Sequence, residues 1–159
     1  MPIERMVINT GPLITLALIE AIDIPGKLPY QFVCPREVRA ELDQGEGLGY
    51  RRISPEWLHV MPLERPVSAL AISSLDLGEA AVIELALEQS VSWVCIDEWK
   101  GRRAAIAAGL KVAGVLGLLG KAKQLGIIKS IRPMVERAIT EGIRYHPALV
   151  EKVLSAVGE

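Results

Sequence analysis

Short apolar runs that stop at a polar side chain and pass at once into a helix recur along this chain. Arg5–Ile8 ends at Asn9-Thr10-Gly11-Pro12, where Thr10 or Gly11 caps and Pro12 sits in the first turn of a helix over Leu13–Ala21. Gln31–Cys34 is followed by Pro35 and a helix through Asp43, which Gly45, Gly47 and Gly49 end in a flexible loop. Val91–Ile96 stops at Asp97 before a helix over Lys100–Ala108, and Lys111–Ala113 precedes a helix from about Val115 to Gln124. A strand that returns through a helix pairs in parallel with its predecessor, and apolar strands call for cover on both faces. The alternation therefore predicts an α/β fold: a three-layer α/β/α sandwich with a mostly parallel central sheet. Trp57–Leu63 reads as extended and confined to an edge by Pro62 and Pro66. Further helices are expected over Glu79–Gln89, Arg132–Thr140 and Pro147–Val157.

At 159 residues, half of them apolar, the chain makes one domain over 1–159, burying roughly 70% of its unfolded surface. No linker, repeat or low-complexity stretch divides it. The longest Gly-and-apolar run, Val112–Gly120, is nine residues, against the ~20 that a membrane helix needs. No basic-then-apolar leader opens the chain, so a cytoplasmic protein is expected. Cys34 and Cys95 have no metal-type spacing and read as small buried hydrophobes in a reducing compartment.

Charge is unevenly placed. Residues 1–80 carry net −4 and residues 81–159 net +3, and no acid falls between Glu98 and Glu136. That stretch holds Lys100, Arg102, Arg103, Lys111, Lys121, Lys123, Lys129 and Arg132. A basic face beside an acidic half suits a polyanion held against metal-binding carboxylates; it is equally the pattern of a solvated surface.

In a parallel sheet, sites lie beyond the carboxyl ends of the strands. Asn9 and Asp97 both stand there, and both residue types also cap helices. Glu79 stands out because Val82, Ile83 and Ala86, at helical spacing after it, place it on the apolar stripe. A favourable position in the first helical turn explains an acid, but not an acid on the core face. Glu41, beside Leu42 and one turn after Glu37, leans over the strand edge or belongs to a solvated helix with Arg36 and Arg39.

Several segments taken together resemble the PIN domain family. They are the first strand ending in a polar residue and then Thr; Pro35–Leu42; Leu77-Gly78-Glu79-Ala80-Ala81; Ile96-Asp97-Glu98 with Gly101–Ala105; and Gly109–Gly117 with Lys121–Ile128. The last two look like a prokaryotic branch of predicted nucleic-acid-binding proteins. The resemblance spans nearly the whole chain. It implies a Mg²⁺- or Mn²⁺-dependent endoribonuclease acting on single-stranded RNA. It further implies the toxin of a toxin–antitoxin pair or a protein derived from one, with a small antitoxin protein and a homodimer as expected partners.

Carried over by position, the family's acids fall on Asn9, Glu41, Glu79 and Asp97, and its hydroxyl residue on Thr10. Asn9 replaces the usual first aspartate, so Glu41, Glu79 and Asp97 supply a charge of −3 where the family has −4. Asn9 keeps a carbonyl oxygen that can ligate but carries no charge. Hard divalent ions take such oxygen donors. RNA contacts are expected from Thr10, Arg102, Arg103, Lys121 and Lys123. His59 and His146 fall in no candidate motif. With seven aromatics in the chain, recognition is expected to rest on phosphates and shape rather than on base stacking. A catalytically weak nucleic-acid-binding relative is the rival reading. A dinucleotide-binding domain is not supported, since Asn9-Thr10-Gly11-Pro12 is no G-x-G-x-x-G turn.

Overall fold

A computed structural model describes residues 3–69 and 74–159. Five parallel strands form the central sheet: β1 (Glu4–Ile8), β2 (Tyr30–Cys34), β3 (Leu58–Val60), β4 (Trp93–Cys95) and β5 (Lys111–Ala113), in the order β3-β2-β1-β4-β5. Around it lie α1 (Thr10–Leu18), α2 (Arg36–Gly47), α3 (Leu77–Glu88), α4 (Trp99–Ala107), α5 (Val115–Gln124), α6 (Arg132–Thr140) and α7 (Pro147–Ala156). The fold is the three-layer α/β/α sandwich that the alternation predicts.

The two central strands explain why their sequences are apolar without alternation. Val7 and Ile8 of β1, and Val94 and Cys95 of β4, are fully buried because helices cover both faces. Ile8 pairs with Cys95, so β1 and β4 end side by side. Chain order reverses at this pair, the place in an open parallel sheet where a crevice opens.

The helices end alike. In all seven described helices the chain turns through a left-handed residue, and the next N–H bonds back five residues, as Ala21 does to Leu16 and Leu110 to Ala105. Glycine holds that position five times; Glu20 at φ 56° and Ser90 at φ 53° hold it twice. This motif corrects the expected end of α2. The helix runs past Asp43 and Gly45 to Gly47, because the turn that stops it is at Gly49, where Tyr50 N–H reaches the Gly45 carbonyl. β3 is likewise shorter than the extended run 57–63, and it lies at the sheet edge as its prolines require. Among the described residues no helix is long and apolar enough to cross a membrane.

Candidate metal centre and cleft

A cleft of about 1140 Å³ opens at the carboxyl ends of β1 and β4, and Asn9, Glu41, Glu79 and Asp97 all line it. Asn9 and the three acids come from different helices or strand ends, so only the folded sheet brings them together.

Asn9 follows β1 and is tied down by its backbone N–H, which donates to the Cys95 carbonyl at 3.0 Å. It stands at the N-cap of α1, yet its side chain makes no capping hydrogen bond. Its Oδ1 is buried without a partner, and the residue is 7% exposed. A buried acceptor with nothing to accept from is costly in a finished core. Here it fits a position that receives a cation or its water. Thr10, next in the chain, donates its hydroxyl to Glu41 Oε2 at 2.7 Å. That bond fixes the carboxylate of α2 over the cleft, so Thr10 serves Glu41 first.

Asp97 follows β4 and caps no turn of α4. Its Oδ1 instead accepts the N–H of Val115 at 3.1 Å, at the start of α5, where a helix favours an anion. Burial raises its pKa, while the Val115 N–H and the nearby Arg102 guanidinium oppose the rise. Arg102 is held in place by donating to the Ile96 carbonyl at 2.7 Å.

Glu79 is the deepest of the acids, 3% exposed. Asp76, the N-cap of α3, accepts the Glu79 N–H on its Oδ1 at 2.7 Å. Ligand oxygens of Asp76, Glu79 and Glu98 all lie within 4.8 Å of one another. Burial first, then hydrogen bonds to Glu98 and Asp76 and the charges of both, push the Glu79 carboxyl up to about 9. At neutral pH the trio therefore holds a proton on Glu79, which a cation among the three would displace. The donors are all oxygen, the set that Mg²⁺ and Mn²⁺ take.

Three glycines make room for these carboxylates. A Cβ on Gly78 would lie 2.9 Å from the Glu41 Cδ, one on Gly101 3.2 Å from a Glu79 oxygen, and one on Gly114 2.5 Å from Asp97 Oδ1. Each acid thus packs on a bare backbone.

The sequence pattern missed Asp76 and Glu98. Asp76 is legible only as a helix cap, three residues ahead of Glu79, and Glu98 only as the neighbour of Asp97. It also missed the wall made by residues 143–146. Tyr145 lines the cleft with a buried hydroxyl that lacks a partner, and its pKa is raised by burial and by the charge of Asp97. His146 lines the cleft too, its Nδ1 accepting the Ala148 N–H at 3.1 Å.

The expected RNA-contact residues divide. Thr10 and Arg102 line the cleft, whereas Arg103, Lys121 and Lys123 are not among the described residues that line it. Lys123 is paired instead with the Glu159 carboxylate at 3.0 Å, a group that also accepts the Ile131 N–H. Arg144, an exposed residue beside Tyr145, lines the cleft in their place.

No curated protein and no solved structure matches the chain. The family model DUF3368, described as a PIN domain, matches residues 5–159, almost the full length that builds this sheet and cleft. The chain belongs to the PIN domain family.

Proposed function

We propose that the protein is a metal-dependent endoribonuclease that cleaves single-stranded RNA, the toxin of a toxin–antitoxin pair or a derivative of one. The observation that supports it most is the trio Asp76, Glu79 and Glu98, with oxygens within 4.8 Å, in a cleft that Glu41, Asp97 and the unpartnered Asn9 oxygen also line. Asp76, Glu79 and Glu98 would hold Mg²⁺ or Mn²⁺, with Asp97, Glu41 and Asn9 Oδ1 as further oxygen donors. Bound there, such an ion supplies Lewis acidity for attack of water on a phosphodiester and offsets the charge of the phosphate.

The chain's own residues do the rest. Thr10 holds Glu41 in register, and the α5 N-terminus and Arg102 hold Asp97. Glu79 stores a proton until a cation takes its place. Arg144 and Arg103 offer positive charge near the cleft mouth to an incoming strand. The free, fully buried Cys34 and Cys95 suit a reducing cytoplasm. In this reading a second copy of the chain completes a homodimer, and a small antitoxin protein restrains it.

One metal titration tests the reading. Wild type is expected to cleave single-stranded RNA with Mn²⁺ or Mg²⁺ and to stop with a chelator, while Asp97→Ala is folded and inactive. Equal activity of the two would remove the carboxylates from the chemistry. Inert wild type that binds neither Mn²⁺ nor substrate-derived product, yet retains RNA, would instead favour a binding relative of the nucleases, the outcome to which Asn9 in place of an acid would then point.

A further inference from the structure

Trp99 opens α4 directly after Glu98. Trp99 lines the cleft and is 70% exposed, so a large apolar side chain stands in water there. Arg103, one turn on, holds its guanidinium over the ring, 5.9 Å from the centroid. The cation thus orders the indole while leaving most of it open. Arg144 and His146 line the same cleft, and the carboxylate of Glu98 begins one residue away.

This combination selects a ligand. A flat, electron-rich ring with one guanidinium over it and a second arginine in the same cleft matches a nucleobase joined to phosphates. Bases in a duplex are stacked on one another and offer no free face; a single strand offers one at every nucleotide. Aromatics are scarce in the chain, yet one ring at the right place suffices for stacking.

Resting on the nuclease reading of the same cleft, we infer that Trp99 is the stacking platform for the nucleobase next to the phosphodiester held at the Asp76–Glu79–Glu98 cluster. Arg103 then pairs with the neighbouring phosphate. Stacking of this kind tolerates any base, so Trp99 selects for strandedness rather than sequence.

The test uses the full chain with Mg²⁺ on ice and a labelled twelve-residue oligouridylate, read by fluorescence anisotropy, with intact RNA confirmed on gels. A matching oligomer with abasic sites is the second probe. Trp99→Ala is expected to weaken binding of the intact oligomer about tenfold, and Trp99→Phe to restore most of it. Wild type should bind the abasic oligomer about as weakly as Trp99→Ala binds the intact one. Trp99→Ala should leave both the Mn²⁺-induced rise in Tm and the slope of affinity against salt unchanged, whereas Arg103→Ala lowers that slope by about one phosphate contact. If wild type binds the oligomer and Trp99→Ala binds within twofold of it, stacking is overturned and the nuclease reading stands. If wild type binds no RNA, both fall. If RNA binding is unchanged and Trp99→Ala halves the sedimentation mass, Trp99 is a contact between copies of the chain and the inference is wrong.

Discussion

Glu79→Gln separates the two demands placed on the buried carboxyl. Without a cation Glu79 titrates at about 9, against 4.5 in a solvated chain, because burial and then Glu98 and Asp76 disfavour its charge. Between those values the folded protein holds a proton that the unfolded chain has released. Stability therefore falls as pH rises from about 5 toward 9. Each unit within that window costs the fold at most about 1.4 kcal/mol. Asp76 and Glu98 are exposed and the cleft is open to water, so screening removes much of that, leaving about 2 kcal/mol over the whole window. Gln keeps the shape, donates toward the same two carboxylates and cannot ionise. Urea denaturation with chelator present is the assay. The variant and wild type should coincide near about pH 5.5, and at about pH 8.5 the variant should be more stable by about 2 kcal/mol. Mn²⁺ should then stabilise wild type at the higher pH and leave Glu79→Gln nearly unaffected. If both proteins lose stability in parallel as pH rises, or if Glu79→Gln is the weaker one at high pH, the proton is not on Glu79 and the reasoning fails.

Two substitutions probe the backbone that frames the site. Gly78→Ala improves helix propensity by up to ~1 kcal/mol in α3, but its methyl would crowd the Glu41 carboxyl at 2.9 Å, and the flexible end of Glu41 is what gives. Its Tm should hold or rise while RNA cleavage drops about tenfold; a variant with full activity would show that the Thr10–Glu41 geometry is irrelevant. Ser90→Gly relieves a left-handed residue at the end of α3 and should stabilise the protein by about 0.5–1 kcal/mol with activity unchanged, as measured by urea denaturation. A loss of stability there would mean that the serine side chain contributes more than its backbone costs.

The sheet and half of the site are legible in sequence for one physical reason. A parallel strand buried on both faces reads as an apolar run, and its end reads as the first polar residue, so Ile8-Asn9 and Ile96-Asp97 mark the cleft before any fold is known. Glu79 is legible because an acid on an apolar stripe violates the helical pattern. Asp76 does not violate it: it caps α3, and a cap explains itself locally even when its carboxylate also faces Glu79. Glu98 and Trp99 look like a solvated helix start until the fold sets them at the cleft mouth. Tyr145 and His146 come from a segment that closes on the cleft only through tertiary packing, which no local period records. The basic stretch misleads in the other direction, since charge along the chain does not tell that Arg102 is held by the Ile96 carbonyl or Lys123 by Glu159.

The consequence of Asn9 changes once Asp76 and Glu98 are counted. With three acids at the site, a missing aspartate looks like a large loss of charge. With Asp76 and Glu98 added to Glu41, Glu79 and Asp97, the cleft is already rich in acids, two of which reinforce the burial that keeps Glu79 protonated, and a further carboxylate beside the fully buried Cys95 would add to that density. Asn9 Oδ1 has no partner, so Asn9→Asp would create a buried, unpaired charge in the metal-free state. Such a group costs about 2–3 kcal/mol after its own pKa rises in response. A divalent ion in the same cleft, at an effective dielectric between protein and water, would return a similar energy, roughly a hundredfold in affinity. Asn9→Asp should therefore lower the Tm of the chelated protein at pH 8, enlarge the rise in Tm that Mn²⁺ produces, and raise the cleavage rate at limiting Mn²⁺. Scanning both proteins across one Mn²⁺ series checks all three. If the chelated variant is as stable as wild type and its Mn²⁺ response is no larger, position 9 does not face the ion, and the orphaned oxygen has some other partner.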